Sequence, residues 1–255
     1  MVLGTGSGGG VWPVVLTDGR VGLRPISRRD YSAWFEVRAR NAAWLRPWEA
    51  TAPDGSAETP RTYRAMVKEL LSQARRGRCL PFVVTLDDRL VGQLTVSGIT
   101  YGSARWAQVG YWVDSAVAGH GITPTAVALV ADHCFGAAGL HRLEVNIRPE
   151  NAASLRVVDK LGFRPEGLRP RFLHIDGAWR DHLSFSMVTE DVPGGLLVRW
   201  HRTQREATAA ALARAAPPRD VAADGAADTT GFGLVPPSGS TGSRRVTQES
   251  ADTPV

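Results

Sequence analysis

Two glycines two residues apart, Gly119 and Gly121, close a β-rich run, Val109-Gly-Tyr-Trp-Val113, and open an Ala/Val/Leu pattern suited to a helix as far as Phe135. Strand, glycine turn and helix N-terminus in that order aim unpaired backbone N–H groups at one point, an arrangement fit to hold a phosphate. Glycine at both positions removes the side chains that would keep a phosphate off those donors. Thr123 and Pro124 fall in the first helical turn, where the missing proline N–H costs nothing. The triphosphate loop is excluded, because Ile122 and Thr123 follow Gly121 where Lys and Ser/Thr are required. The dinucleotide fingerprint lacks its third glycine.

A second constellation lies downstream. His141-Arg-Leu-Glu-Val-Asn-Ile-Arg148 alternates like a half-buried strand. Asn151 then suits an N-cap, Leu155, Val158 and Leu161 recur at helical spacing, and Gly162 suits a C-cap. Ser154 stands one turn beyond Asn151, so both can face one cleft. Tyr111 and Trp112 read as core or cleft wall. Two further groups could move protons. Glu49 follows Pro47-Trp48, and His182 ends Arg180-Asp181-His182, whose alternation along a strand keeps the three from sharing one pocket. Asp176 belongs to its turn, since Ile175-Asp176-Gly177-Ala178 signals a type I′ hairpin.

These stretches together resemble the GCN5-related N-acetyltransferases (GNAT). Ala116-Val-Ala-Gly119-His-Gly121 keeps both glycines of that family's acyl-coenzyme A loop, Gln/Arg-x-x-Gly-x-Gly/Ala, without its leading polar residue. Asn151-Ala-Ala-Ser154, followed by a helix and Leu161-Gly162-Phe163, is a hallmark of the superfamily. Asn41-Ala-Ala-Trp-Leu-Arg-Pro47-Trp48-Glu49 is similar to the Leu-Lys/Arg-Pro-Trp-Glu element of the RimJ/RimL branch, and the likeness runs in order over residues 20 to 191. The resemblance implies an α+β GNAT fold: a mixed central sheet, with an antiparallel N-terminal meander and a parallel pair at the cofactor cleft, flanked by helices. It implies acetyl-CoA as co-substrate without a metal, and transfer to a primary amine, foremost the N-terminal α-amine of a ribosomal protein. Small-molecule amine acetylation, and a non-catalytic acyl-CoA-binding module, are the alternatives.

By the same resemblance, backbone groups at Tyr111, Trp112 and Val113 meet the thioester and pantetheine. Gly119, His120, Gly121, Ile122 and Thr123 meet the pyrophosphate. Asn151 either bonds pantetheine or only caps its helix, and Ser154 protonates the departing sulfur. Glu49 is the first candidate for base or ammonium anchor and His182 the second. The glutamate that RimL-like enzymes carry on the strand after Gly167 falls here near Leu173 or His174, which leaves a water relay open. An α-amine, with a pKa of about 7.7–8.0, is about one-tenth neutral at pH 7, whereas a lysine near about 10.4 is almost wholly charged. An N-terminal acceptor therefore asks less of any base.

The elements that must position these groups follow from periodicity and turn chemistry. Asp18-Gly19 turns into a strand at 21 to 26. A helix from about 29 to 40 has Tyr31, Trp34, Phe35 and Val37 or Arg38 on its buried side. A second helix, capped by Thr59-Pro60, runs to about Arg76. Strands at 79 to 86 and 89 to 98, joined by Asp87-Asp88, and another near 105 to 113 form an antiparallel meander, because their links are too short for crossovers. Residues 1–19 read as a flexible lead-in, 20–202 as the catalytic domain and 203–255 as a tail. In that tail 203–216 suits a short helix and the rest is too poor in large apolar residues to bury a core. Leu196 and Trp200 are expected to pack back on the domain.

Composition bounds the function. No apolar run is long enough to span a membrane, and the glycine-rich start does not read as a signal peptide. Cys79 and Cys134, the only cysteines, lack metal-like spacing and suit a reducing cytoplasm. The net charge of +5 is modest and scattered, and only Lys68 and Lys160 are lysines. Nucleic-acid binding as the main function is disfavoured for want of a dense basic run with interleaved aromatics. A monomer or homodimer is expected.

Overall fold

Three two-residue turns set the register of much of the sheet. Gly19 and Arg20 connect β1 (Leu16–Asp18) to β2 (Val21–Pro25), with Asp18 opposite Val21. Asp87 and Asp88, at φ 47° and 63°, connect β3 (Leu80–Leu86) to β4 (Arg89–Thr100). Asp176 and Gly177, at φ 46° and 76°, connect β7 (Arg164–Ile175) to β8 (Ala178–Val188). In the last two turns, positive φ at both central residues matches the right-handed twist of the flanking strands. The computed structural model describes residues 11–53 and 62–215. The glycine run at 4–10, the Thr59-Pro60 cap and the tail from 217 lie outside them.

The remaining elements are α1 (Tyr31–Arg40), α2 (Ala42–Leu45), α3 (Tyr63–Arg75), β5 (Trp106–Val113), α4 (Ile122–Phe135), β6 (Arg142–Ile147), α5 (Ala152–Leu161) and α6 (Leu196–Ala215). One eight-stranded sheet has the order β1-β2-β3-β4-β5-β6-β8-β7, antiparallel throughout except where β5 meets β6. This is the mixed sheet expected from the resemblance. The larger core lies between one sheet face and α4, α5 and the start of α6, with Phe82, Leu94, Val127, Leu143, Leu161 and Leu196 among its buried members. A smaller core, Ile26, Val37, Val67, Val83 and Leu90, joins α1 and α3 to the other face.

Four details depart from expectation. Tyr31 and Phe35 are 54% and 57% exposed, because α1 turns Trp34, Val37, Arg38 and Asn41 inward, and that face borders a cleft as much as a core. The cap of α3 is Thr62, whose hydroxyl accepts from Ala65 N–H. Of the expected lead-in, residues 11–19 are built into the fold: β1 pairs with β2, and Trp12 packs edge-on to Phe82 at 5.1 Å. Finally, α6 runs unbroken through the expected boundary after 202, anchored by Leu196 and Trp200, which are both buried.

Candidate active site

The cleft exists because the sheet splits. β4 stays paired with β5 up to Val113, but β6 pairs with β5 only at residues 106 to 108 and then follows β8 to the Ile147–Leu183 pair. One backbone edge of Val109 to Val113 therefore has no strand partner. Buried main-chain N–H and C=O groups need partners, so an extended ligand can complete that edge. Crevices of this kind open at the carboxyl ends of parallel strands. The resulting cavity measures about 810 Å³, toward the upper end of small-molecule sites.

One end of the cleft is the glycine turn. Gly119 and Gly121 both take left-handed conformations, at φ 84° and 81°, which a side chain would oppose by about 1–2 kcal/mol. A Cβ on Gly121 would also stand 3.2 Å from Gln204 Nε2. The turn is held from below by Asp114, whose carboxylate accepts from Arg40, Asn41 Nδ2 and Ala116 N–H. Burial pushes the Asp114 pKa up, but those hydrogen bonds outweigh it and keep the group below the usual range. Asn41 Oδ1 in turn accepts from the Ser115 N–H and hydroxyl. The loop leading to the turn is thus tied to the end of α1.

Across the cleft, Asn151 Oδ1 accepts from Ser154 N–H at 3.0 Å. The cap uses only the carbonyl oxygen, leaving the amide nitrogen on a residue that lines the cleft. Beside Ser154 lies the Tyr111 hydroxyl, buried and without a normal hydrogen bond to any neighbour. Burial raises the Tyr111 pKa, so the phenol stays protonated.

Glu49 occupies the opposite wall. Its loop is stitched to the β7–β8 hairpin by Asp176 N–H to Glu49 O at 3.0 Å and Thr51 N–H to His174 O at 2.9 Å. Arg148 donates to Pro47 O at 2.6 Å and lies 5.4 Å from the Trp48 ring centre. The Glu49 carboxylate is ion-paired with Arg38, and that guanidinium lies 5.0 Å from the Trp34 ring and 5.4 Å from the Trp112 ring. Trp44 and Trp48 complete an aromatic rim. Helical periodicity had marked Arg38 only as a candidate for the buried side. The roles of Arg38 and Arg148 depend on partners far away in sequence, and no local signal reports them.

Of the residues singled out from sequence, Glu49, Tyr111, Trp112, Val113, Gly119, Gly121, Ile122, Thr123, Asn151 and Ser154 line this one cleft. His120 and His182 do not. His120 is exposed, with Nδ1 3.0 Å from Ala118 O. His182 is only 3% exposed, its Nδ1 3.0 Å from Arg180 O and its ring edge-on to Phe172. Burial lowers its pKa. A histidine walled in against β7 cannot meet an acceptor amine without rearrangement. Cys79 and Cys134 are buried and free, with pKa values pushed up to about 12 by burial, which disqualifies both as nucleophiles. Among the described residues no cluster of His, Cys, Asp or Glu suits a metal, and no helix is long and apolar enough to cross a membrane.

Comparison with known proteins identifies the family and the fold. The sequence profile of the acetyltransferase (GNAT) domain matches residues 20–164. The structure of Mycobacterium smegmatis RimJ in complex with CoA-disulfide superimposes with a TM-score of 0.71 at 41% identity, covering 76% of this chain and 97% of that one. The [ribosomal protein uS5]-alanine N-acetyltransferase of Escherichia coli is 28% identical over 184 residues, 71% of this chain and 94% of that protein. A probable N-acetyltransferase of Bacillus subtilis, YjcK, is 39% identical over 105 residues, which span 41% of this chain and 58% of that protein.

Proposed function

Because the chain belongs to the GNAT acetyltransferase family, we propose that it transfers the acetyl group of acetyl-CoA to the N-terminal α-amine of a protein, a ribosomal protein foremost. The observation that carries this reading is the split between β5 and β6, which opens a free strand edge onto the glycine turn at one end and the Trp48–Glu49 rim at the other. The relatives named for ribosomal-protein alanine acetylation supply the acceptor class.

Bound in the cleft, acetyl-CoA supplies an activated thioester. This chain supplies the rest. The free edge of Val109 to Val113 orients pantetheine and offers N–H groups to the carbonyl oxygen, where negative charge grows during attack. The turn at Gly119 and Gly121 receives the phosphates. Ser154 passes its proton to the leaving sulfur as it takes one from the Tyr111 phenol beside it, and the phenolate regains a proton from water as the products leave. The acceptor amine enters past Trp44 and Trp48. Glu49 helps the amine shed its proton through water, since its carboxylate is already engaged by Arg38.

The charge balance favours a single amine over a polycation. Among the cleft-lining residues Arg38, Arg156 and Lys160 outnumber Glu49 and Glu150, so no surplus of acid awaits a polyamine. Mass spectrometry of whole-cell protein N-termini, with and without this chain, tests the reading. Acetylation gained at a defined set of N-termini is expected. An unchanged profile together with acetylated polyamines would replace it with the small-molecule reading.

A further inference from the structure

α4 reads Ile-Thr-Pro-Thr-Ala-Val-Ala-Leu-Val-Ala-Asp-His-Cys-Phe and is buried along most of its length. A helix apolar on every side needs cover on every side. The sheet supplies one cover, and α5 and α6 supply the others. α6 begins where Asp132, near the end of α4, accepts from Leu196 N–H at 2.6 Å and Leu197 N–H at 3.1 Å. One turn later Trp200, 4% exposed, donates its indole N–H to Thr125 Oγ1 at 2.9 Å. Thr125 passes the contact on by donating to Gly121 O, also at 2.9 Å. A further turn brings Gln204 Nε2 beside Gly121, 3.2 Å from where a Cβ would stand, with the Trp200 ring at 3.6 Å. As α6 steps through 196, 200 and 204, its partners on α4 step back through 132, 125 and 121. The helices run antiparallel, and α6 reaches the glycine turn with an amide donor.

We propose that α6 is a working part of the coenzyme site: Trp200 locks the phosphate turn through Thr125 and Gly121, and Gln204 adds a side-chain donor to a phosphate bound there. This rests on the reading of the turn as the phosphate site. Gly119 and Gly121 are the least restrained kinds of residue in the chain, so their N–H groups aim at one anion only if something else fixes the peptide planes. Gly121 O, which accepts from both the hydroxyl and the N–H of Thr125, shares its peptide plane with the Ile122 N–H that closes the turn, so these bonds fix that donor, and preorganised donors bind without the cost of ordering them. An amide N–H to a phosphate is charge-assisted and stronger than a neutral bond. α6 lies wholly beyond the family-matched segment, residues 20–164.

The test uses the full chain and its Gln204→Ala, Trp200→Phe and Gly121→Glu variants. Each is titrated with coenzyme A by calorimetry, and with pantetheine, which carries no phosphate, by ligand-observed NMR. Melting temperatures are recorded alongside. Gln204→Ala should weaken coenzyme A about tenfold, the size of one hydrogen bond to a charged group, and leave pantetheine unchanged. Trp200→Phe should act in the same selective way. Parent-like coenzyme A affinity in Gln204→Ala and Trp200→Phe would overturn the proposal. So would equal loss of both ligands, which would reduce α6 to a structural cover. Full coenzyme A affinity in Gly121→Glu would overturn the phosphate reading of the turn itself, and this inference with it.

Discussion

Removing one oxygen from the active-site wall should make this protein more stable and less active. The Tyr111 hydroxyl is buried beside Ser154 without a hydrogen bond of normal geometry, whereas in the unfolded chain it is hydrated. Burial of an unpaired hydroxyl costs about 1–3 kcal/mol in protein mutants. Tyr111→Phe keeps the ring and removes that penalty. Allowing for the small void left behind, the gain is about 1 kcal/mol. For a domain of this size each kcal/mol moves the melting temperature by about 2–4 °C, so Tyr111→Phe should melt about 2–4 °C above the parent. The scan must be run without coenzyme, because a ligand raises the melting temperature by mass action. In steady-state assays on an N-terminal peptide the same variant should lose about tenfold in kcat, a modest share of an acid–base contribution, with KM for acetyl-CoA little changed. A fall in melting temperature would refute the reasoning, since it would mean that the hydroxyl has a good partner in solution. Parent-like kcat would separate Tyr111 from the departing sulfur.

Ser154→Ala should lower kcat by about tenfold or more while calorimetry finds coenzyme affinity unaltered; normal turnover would return Ser154 to a helix-surface role. Gly121→Glu, which puts a bulky anion where φ is 81°, should nearly abolish coenzyme A binding by calorimetry. Glu49→Gln should impair peptide acetylation and leave the acetyl-CoA dissociation constant as it was, and equal turnover by mutant and parent would remove Glu49 from the acceptor end. His182 has its pKa lowered from 6.5 chiefly by burial, so the unfolded chain takes up the proton more readily than the folded one. The stability of its neutral form is complete above about pH 6.5 and is lost as pH falls below it. Denaturant titrations of His182→Gln should therefore show a flatter decline than the parent between about pH 6.5 and 4.5, above the range where the paired carboxylates titrate; parallel curves would contradict the shift.

What the sequence determined about this protein is whatever acts within a few residues. Asp87-Asp88 and Asp176-Gly177 specify their hairpins because both central residues tolerate positive φ. Asn151 and Gly162 bracket α5 because a cap needs only its own first or last turn. The two glycines before α4 mark their turn for the same local reason. The tertiary structure decided the rest. The β5–β6 split depends on which strand β6 follows once it leaves residue 108, a competition between pairings distant in sequence. Arg38 reaches the cleft, and Tyr31 and Phe35 face outward, because periodicity gives the spacing of a helix face but not what that face meets. His182 alternates correctly along β8 and is nevertheless walled in by Phe172, contributed by another strand. The contact of Gln204 with the Gly121 turn joins positions far apart in the chain. The one hint of it in sequence was that α4 is apolar all round: such a helix must be covered on every side, but only the folded chain specifies by what.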